Sequence, residues 1–270
     1  MEKLQAALEN ARRARKNETG SAPASSGQEL GARRSPMDSC DALWAALPSF
    51  EVPELQLQSR RVVTRAANPA AAPFDILRTK VLLQMRQHNW KRLAITSPTP
   101  KAGKSTIACN LALGLARQHD IRSVLMDFDL RDPSVAEFFK NSPKHDITEM
   151  LTGKVDFADQ AMRFGDNLAC SMSNTVAADP ARYLLADETA QILDQIEAAY
   201  QPDVMIFDMP AVLVNDDARA FLKNADCALI VVRAEHTRYR QFDTCEREVA
   251  ELTNVLGTTL NAYKGADTVS

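Results

Sequence analysis

A single stretch of the sequence, residues 91–117, limits what this chain can fold into more than any other. Its apolar run Leu93, Ala94 and Ile95 is typical of a buried parallel strand. The run is followed by a loop that ends in Gly-Lys-Ser-Thr, and then directly by a helix with apolar periodicity. In a strand–loop–helix unit of this kind, free backbone N–H groups and the helix dipole converge on an anion. The stretch therefore predicts a phosphate-binding loop in an α/β fold.

Two side chains of this loop carry its expected chemistry. In such loops the lysine reaches the β- and γ-phosphates and the next hydroxyl binds Mg²⁺, so Lys104 and Ser105 take these roles. The match to G-x-x-x-x-G-K-[ST] departs at its first position, where Pro98 replaces glycine. A plain strand–loop–helix connection explains the apolar periodicity equally well, but it gives no reason for Gly-Lys-Ser-Thr.

The composition is that of an ordinary globular protein. With 270 residues, 45% hydrophobic and 25% charged, the chain suits one large α/β domain with an extension. A net charge of −3 argues against a protein that coats nucleic acid. The five cysteines are scattered and never spaced as C-x-x-C, so we interpret them as packing residues of a reduced compartment. Without a signal peptide or an apolar run of about 20 residues, the chain is expected to be soluble and cytoplasmic.

The chain is predicted to divide into five parts. They are a short basic helix (1–17), a flexible linker (18–39), an N-terminal arm packed on the core (40–67), a P-loop domain (68–261) and a polar tail (262–270). The basic cluster at the end of the first helix interacts favourably with the helix dipole. It also suits an anionic membrane surface, so a docking helix is the alternative interpretation. The linker is predicted from its Gly, Ala, Ser and Pro content.

Two further apolar runs end in carboxylates. Residues 123–127 predict a second buried strand, which is followed by Asp129 and Arg131. Residues 203–210 place four apolar residues before Asp208, the form of a Walker B strand whose aspartate holds Mg²⁺. An ordinary strand-end turn is the alternative in both places. Charges at the end of an apolar run are costly unless they are used, and ligands of open α/β sheets bind beyond the carboxyl ends of strands.

The remaining elements alternate between helix and strand. Helices are expected over residues 74–88, 186–200 and 237–253, short helical segments over 146–165, and strands over 167–172, 225–232 and 255–261. This alternation predicts a doubly wound, mostly parallel sheet.

Three motifs in series resemble those of a known family. They are Gly-Lys-Ser-Thr at 103–106, Val-Leu-Met-Asp-Phe-Asp-Leu-Arg at 124–131 and Met-Ile-Phe-Asp-Met-Pro at 205–210. Together they look like the Walker A, A′ and B motifs of the bacterial tyrosine kinases, of the cytoplasmic CpsD/CapB type. Residues 74–80 are similar to that family's helix before the first strand. The resemblance covers roughly residues 68–261.

The resemblance implies a P-loop fold shared with the partitioning and division-site ATPases, with ATP and Mg²⁺ as cofactors. It assigns Asp127 to accept the proton of the attacking hydroxyl, with Lys104 and Asp129 as the other catalytic residues. It also implies that Ser105, Asp129 and Asp208 bind Mg²⁺ or its waters. The residues implied in nucleotide binding are Lys101, Ala102, Gly103, Lys104, Ser105, Thr106 and Asn261, the last at the adenine edge or as a plain turn residue.

The resemblance also implies partners and a pathway. The family acts in exopolysaccharide or capsule synthesis and export, where an inner-membrane chain-length-control protein activates the kinase. A homo-oligomer and peripheral attachment to the inner membrane are further expectations, and no nucleic acid is expected.

This chain departs from the family pattern at three places. Its tail offers Tyr263 in place of a C-terminal tyrosine cluster, and Lys101 stands where the family has glycine. The oligomerisation motif E-x-x-R-x-x-R is reduced to Ala72, Asp75 and Arg78, of which only the last agrees.

Two other functions stay open beside the kinase. The first is an ATPase switch of the partitioning type, although Thr99 occupies the position of that group's signature lysine. The second is a nucleotide-binding adaptor without phosphotransfer.

Overall fold

The structure is a computed structural model and describes residues 36–263. The predicted basic helix, most of the predicted linker and the tail after residue 263 lie outside the described residues. Helix α1 begins at Pro36, so residues 36–39, which were predicted as the end of the linker, belong to this helix. Proline is tolerated in the first turn of a helix, and Cys40 and Trp44 bury the turns that follow.

Helices surround one sheet. The helices are α1 (Pro36–Ala46), α2 (Glu54–Ser59), α3 (Ala72–His88), α4 (Lys104–Ala116), α5 (Val135–Phe139), α6 (Ile147–Leu151), α7 (Phe157–Gln160), α8 (Pro180–Leu185), α9 (Asp187–Tyr200), α10 (Asp217–Leu222) and α11 (Tyr239–Ala250), with a 3-10 turn at Pro69–Ala71. The strands are β1 (Arg92–Ser97), β2 (Ser123–Asp127), β3 (Met162–Phe164), β4 (Leu168–Ser171), β5 (Val204–Ala211), β6 (Cys227–Arg233) and β7 (Asn254–Asn261).

Within residues 36–263, seven strands lie in the order β3-β4-β2-β5-β1-β6-β7. Every pair is parallel except β3 with β4, which is antiparallel. Two large apolar clusters cover the two faces of the sheet. The predicted doubly wound, mostly parallel α/β fold is confirmed.

The alternation of side chains along the strands decides where the acidic residues point. Leu125 and Ile206 belong to the same apolar cluster as helix α4, whereas Met126 and Phe207 belong to the cluster on the opposite face. Successive side chains of a strand face opposite ways, so Asp127 and Asp208 share the α4 face. The two residues are also direct neighbours in the register of β2 and β5.

The N-terminal arm packs on the sheet and its helices. Trp44 is buried, its ring lies edge-on to Tyr200 with centroids 6.1 Å apart, and its Nε1 donates to the Tyr200 carbonyl at 2.8 Å. Further along, the Asn110 side chain in α4 accepts from Val63 N–H and donates to the Arg61 carbonyl. The arm is therefore tied to the helix that follows the phosphate loop.

Several short elements of the structure were not predicted from the sequence. Strand β3 and helices α5, α8 and α10 were not expected, because segments of three to six residues carry too few positions to show a period. The five cysteines are free and buried, in agreement with a packing role. Within residues 36–263, no helix is both long enough and apolar enough to cross a lipid bilayer.

Candidate nucleotide-binding site

The loop between β1 and α4 has the backbone shape of an anion cradle. Gly103 precedes the first residue of α4 with φ of 99°, and Lys101 also has a positive φ of 59°. A Cβ atom at Gly103 would lie 1.9 Å from Asn261 Nδ2, so a larger residue would be strained by its φ and would displace the Asn261 amide. Left-handed residues within such a loop turn consecutive backbone N–H groups toward one point.

Asn261 supports this loop from the end of β7. Its Nδ2 donates to the Ala102 carbonyl at 2.8 Å. On the same side, Arg233 donates from Nη1 to the Lys101 carbonyl at 3.1 Å. The resemblance assigned Asn261 to the adenine edge. In the structure its amide nitrogen is hydrogen-bonded to the loop backbone. The contact with adenine stays a prediction.

Lys104 lies at the start of α4 and is buried, with 8% of its side chain exposed. Its Nζ is 3.6 Å from Asp129 Oδ2. Burial is the main cause of a raised pKa of Asp129, and the lysine charge offsets part of the effect. An unpaired buried ammonium group is costly, so the carboxylate holds the lysine in place.

Asp208 ends the apolar part of β5 and is fully buried. Neither carboxylate oxygen has a hydrogen-bond partner within residues 36–263. Burial raises the pKa of Asp208 to about 7, while the nearby Lys104 and Ser105 lower it in part. The Ser105 hydroxyl is close enough to Asp208 to favour its ionised form, although no hydrogen bond of ordinary geometry joins the two side chains. An orphaned buried carboxylate beside a lysine is suited to a cation.

Asp127 ends β2 and is also fully buried. One oxygen, Oδ2, accepts the backbone N–H groups of Ser134 and Val135 at 2.9 Å each. The other oxygen, Oδ1, has no partner among the described residues. Burial and the neighbouring Asp208 raise the pKa of Asp127, and the two N–H groups oppose this effect. One oxygen therefore fixes the carboxylate while the other is available as a base.

The predicted site residues meet at one edge of the sheet. Lys104, Asp127, Asp129 and Asp208, which are far apart in the sequence, surround the start of α4. Ala102 and Gly103 form the loop itself, and Ser105 and Thr106 are the next residues of α4. Lys101 is exposed, so its side chain makes no buried contact in the cradle.

Sequence reasoning missed two residues of this region. Ser134 contacts Ser105, with 2.9 Å between the two hydroxyl oxygens. Asp217 is buried and binds the Arg131 guanidinium through both oxygens, at 2.5 and 3.1 Å. Neither residue belongs to a recognisable motif, and both depend on contacts between segments distant in sequence.

The residues present fit Mg²⁺ bound together with a nucleotide. Within residues 36–263, no three His, Cys, Asp or Glu side chains are arranged as a metal cage. Mg²⁺ in nucleotide sites is held by one or two carboxylates with phosphate oxygens and waters, so such a cage is not required. The orphaned oxygens of Asp208 and the Ser105 hydroxyl supply the type of donor that this ion prefers.

Fold and site together define a P-loop protein of the class that includes the bacterial tyrosine kinases and the partitioning ATPases. Comparison with known proteins narrows this class. No protein-family model matches the chain. Tyrosine-protein kinase YwqD of Bacillus subtilis (strain 168) is 29% identical over 194 residues, which are 71% of this chain and 80% of that protein. Tyrosine-protein kinase Etk of Escherichia coli (strain K12) is 28% identical over 172 residues, 63% of this chain but 23% of Etk.

Solved structures show the same fold. The kinase domain of Escherichia coli tyrosine kinase ETK matches 82% of this chain and 85% of that chain, with a TM-score of 0.69 and 24% identity. The VpsO kinase domain matches 72% of this chain and 95% of that chain, with a TM-score of 0.64 and 25% identity. Cobyrinic acid a,c-diamide synthase from Mycobacterium smegmatis, solved with an ATP analog and magnesium, has a TM-score of 0.52 at 20% identity over 66% of this chain and 77% of that chain. The chain is therefore similar to the bacterial tyrosine kinases in sequence and in fold. The resemblance predicted from its three motifs is confirmed.

Proposed function

We propose that this chain is an ATP-dependent protein-tyrosine kinase. The observation that carries the proposal is the convergence of Lys104 and three acidic residues on one sheet edge. Lys104 Nζ lies 3.6 Å from Asp129, and the buried Asp127 and Asp208 are neighbours in the sheet register. Phosphoryl transfer asks a protein mainly to position the reactants and to neutralise charge, and this group of side chains offers both.

Each residue has a proposed role in this reaction. Lys104 and the loop N–H groups bind the phosphates, and Ser105, Asp129 and Asp208 hold Mg²⁺ or its waters. When bound, Mg²⁺ supplies charge neutralisation at the phosphate oxygens. Asp127 accepts the proton of the attacking hydroxyl through Oδ1. Its raised pKa makes the ionised carboxylate a stronger base.

Two relatives that are tyrosine-protein kinases support the proposed activity. YwqD and Etk are both tyrosine-protein kinases, and the match spans most of the first but under a quarter of the second. The ATP analog and magnesium bound by the cobyrinic acid a,c-diamide synthase support the same cofactors on a related fold.

The exposure of its tyrosine side chains limits where the chain could phosphorylate itself. All four of its tyrosines lie in the described part. Tyr200 is buried and Tyr183 is half-buried, whereas Tyr239 and Tyr263 expose 78% and 72% of their surface. If the kinase phosphorylates its own chain, Tyr239 and Tyr263 are the accessible acceptors, and a tail cluster is not needed.

The test is phosphotransfer by the purified chain. Incubation with Mg·ATP and a tyrosine-containing copolymer is expected to give phosphotyrosine, detected by mass spectrometry, and Lys104→Met is expected to abolish it. Tyr239→Phe and Tyr263→Phe then report whether the chain itself is a substrate. Equal signals from wild type and Lys104→Met would remove the kinase assignment. ATP hydrolysis without phosphotyrosine would favour the partitioning-type switch, and tight binding without turnover would favour the adaptor.

We further propose a role in exopolysaccharide or capsule production, with an inner-membrane chain-length-control protein as activator. On this proposal the chain is cytoplasmic and peripheral at the inner membrane. The proposal rests on the motif resemblance, so the kinase assay is repeated with the cytoplasmic part of such a membrane protein. An unchanged rate would contradict the activation.

We also propose that the chain forms a homo-oligomer, although its oligomerisation motif is reduced. Asp75, which replaces an arginine of the family's oligomerisation motif, accepts from Arg78 Nη1 at 2.9 Å and from Arg117 Nη1 at 2.9 Å. These contacts lie within one chain. A homo-oligomer remains a proposal that sedimentation of the purified protein tests.

A further inference from the structure

Ser134 contacts two of the predicted site residues at once. Its hydroxyl oxygen lies 2.9 Å from the Ser105 hydroxyl oxygen. Its backbone N–H donates to Asp127 Oδ2, also at 2.9 Å. The candidate metal ligand and the candidate base are therefore joined through one residue that belongs to none of the three motifs.

The side chain of Ser134 is not used as a helix cap. Ser134 is the N-cap residue of α5, and a serine there ordinarily accepts a hydrogen bond from a backbone N–H in the first turn. The Ser134 side chain makes no such bond. The N–H groups of Ser134 and of Val135, the first residue of α5, go to Asp127, and the Ser134 hydroxyl turns toward Ser105. A purely structural account of α5 therefore leaves this hydroxyl unexplained.

The contact restricts the Ser105 hydroxyl. A hydroxyl has one proton to donate and two lone pairs to accept with, and it rotates until these are satisfied. With Ser134 as donor, one lone pair of Ser105 Oγ is occupied. The proton can then be directed to the buried Asp208, whose two oxygens have no partner within residues 36–263. The second lone pair is left for a ligand at the phosphate loop.

We propose that Ser134 is a positioning residue that orients the Ser105 hydroxyl for the divalent cation of a bound Mg·nucleotide. The proposal rests on the proposed function only as far as nucleotide binding, and it does not require phosphotransfer. On this proposal Ser134 acts through Ser105 and needs no direct contact with phosphate or metal.

The test measures how nucleotide binding depends on Mg²⁺. A fluorescent ADP analogue is titrated into the full chain in EDTA and at a series of Mg²⁺ concentrations. For Ser134→Ala, we expect the half-saturating Mg²⁺ concentration to rise about 3- to 10-fold, the range for one lost hydrogen bond. Affinity in EDTA is expected to match wild type. Ser134→Thr keeps the hydroxyl and should restore the wild-type Mg²⁺ dependence.

Two controls separate this role from a structural one. Ser142→Ala removes an exposed hydroxyl from the same segment and should change nothing. Thermal unfolding without ligand reports whether Ser134→Ala is folded. A wild-type Mg²⁺ dependence in folded Ser134→Ala would overturn the proposal, as would equal weakening with and without Mg²⁺. Mg²⁺-dependent binding without kinase activity would leave it standing, whereas wild type without Mg²⁺-dependent binding would remove both proposals.

Discussion

The charge balance at the phosphate loop rests on one lysine among three acidic residues. Lys104 is close to Asp129, and its positive charge also lowers the pKa of Asp208. Burial opposes ionisation of Asp127 and Asp208, and a second negative charge next to the first adds to the cost. Without a bound cation, the site therefore favours protonated carboxyls, and the stability of the protein depends on pH.

The variant Asp208→Asn tests this balance in the absence of nucleotide and Mg²⁺. The folded pKa of Asp208, about 7, is above its ordinary value of 3.8, so the folded state binds the proton more tightly than the unfolded state. The associated stability is present below pH 4 and is lost as pH rises through 7. One pKa unit corresponds to about 1.4 kcal/mol, so a change of a few kcal/mol is expected. Asp208→Asn should therefore flatten the dependence of the free energy of unfolding on pH.

Urea titrations between pH 4 and 8 measure this effect. Asp120→Asn, at an exposed position, is the matched control and should keep the wild-type slope. An unchanged slope in Asp208→Asn would contradict the assigned burial of its charge.

Lys101 gives a second test at the level of one residue. Its φ of 59° is left-handed, a region that costs a side-chain-bearing residue about 1 kcal/mol relative to glycine. Lys101→Ala removes the charge but keeps the strain, whereas Lys101→Gly removes both. We expect Lys101→Gly to exceed Lys101→Ala in free energy of unfolding by about 1 kcal/mol, measured in urea. Equal or lower stability of Lys101→Gly would contradict the left-handed conformation.

The N-terminal arm acts as an element of the core. Helix α1 buries Trp44 against Tyr200, and the Arg122 guanidinium carbon lies 5.6 Å from the centre of the Trp44 ring. Trp44→Ala should lower the free energy of unfolding by about 3–5 kcal/mol, because it removes a large buried ring and a hydrogen bond. Leu43→Ala changes the preceding, exposed residue and should cost well under 1 kcal/mol. Similar losses in both variants, measured by urea unfolding, would show that the arm does not pack as described.

At the scale of the whole molecule, nucleotide binding is expected to be linked to stability. A ligand that binds only the folded state stabilises it by about 2.7 kcal/mol at 100 times its dissociation constant. Mg·ATP should therefore raise the unfolding temperature of wild type, and Lys104→Met should lose most of that rise. The measurement is a thermal melt at increasing nucleotide concentration. Equal shifts in wild type and Lys104→Met would place the nucleotide away from this loop.

The order of strands in the sheet explains why the site forms at all. Strands β2, β5 and β1 are adjacent, although β5 follows β1 by more than 100 residues. Their carboxyl ends therefore bring the residues after β1 next to Asp127 and Asp208. Every hydrogen-bonded pair among these three strands is parallel, so the loops that follow them lie at one edge.

The sequence by itself was enough for the class of fold, and it predicted which acidic residues follow the apolar runs. Apolar runs that end in charge, such as those before Asp127 and Asp208, are local patterns, and Gly-Lys-Ser-Thr follows its strand directly. The alternation of side chains along a strand is also fixed by sequence, but the structure shows that both aspartates lie on the face of α4.

Only the tertiary structure decided the contacts that give the site its detail. Ser134 reaches Ser105 across 29 residues, Arg131 reaches Asp217 across 86, and Asn261 reaches Ala102 across 159. The spacing of these pairs in sequence does not reveal their contacts, because the number of residues between two segments does not determine how they pack. Local patterns determine which residues end a strand, and the packing of distant segments determines which side chains those residues meet.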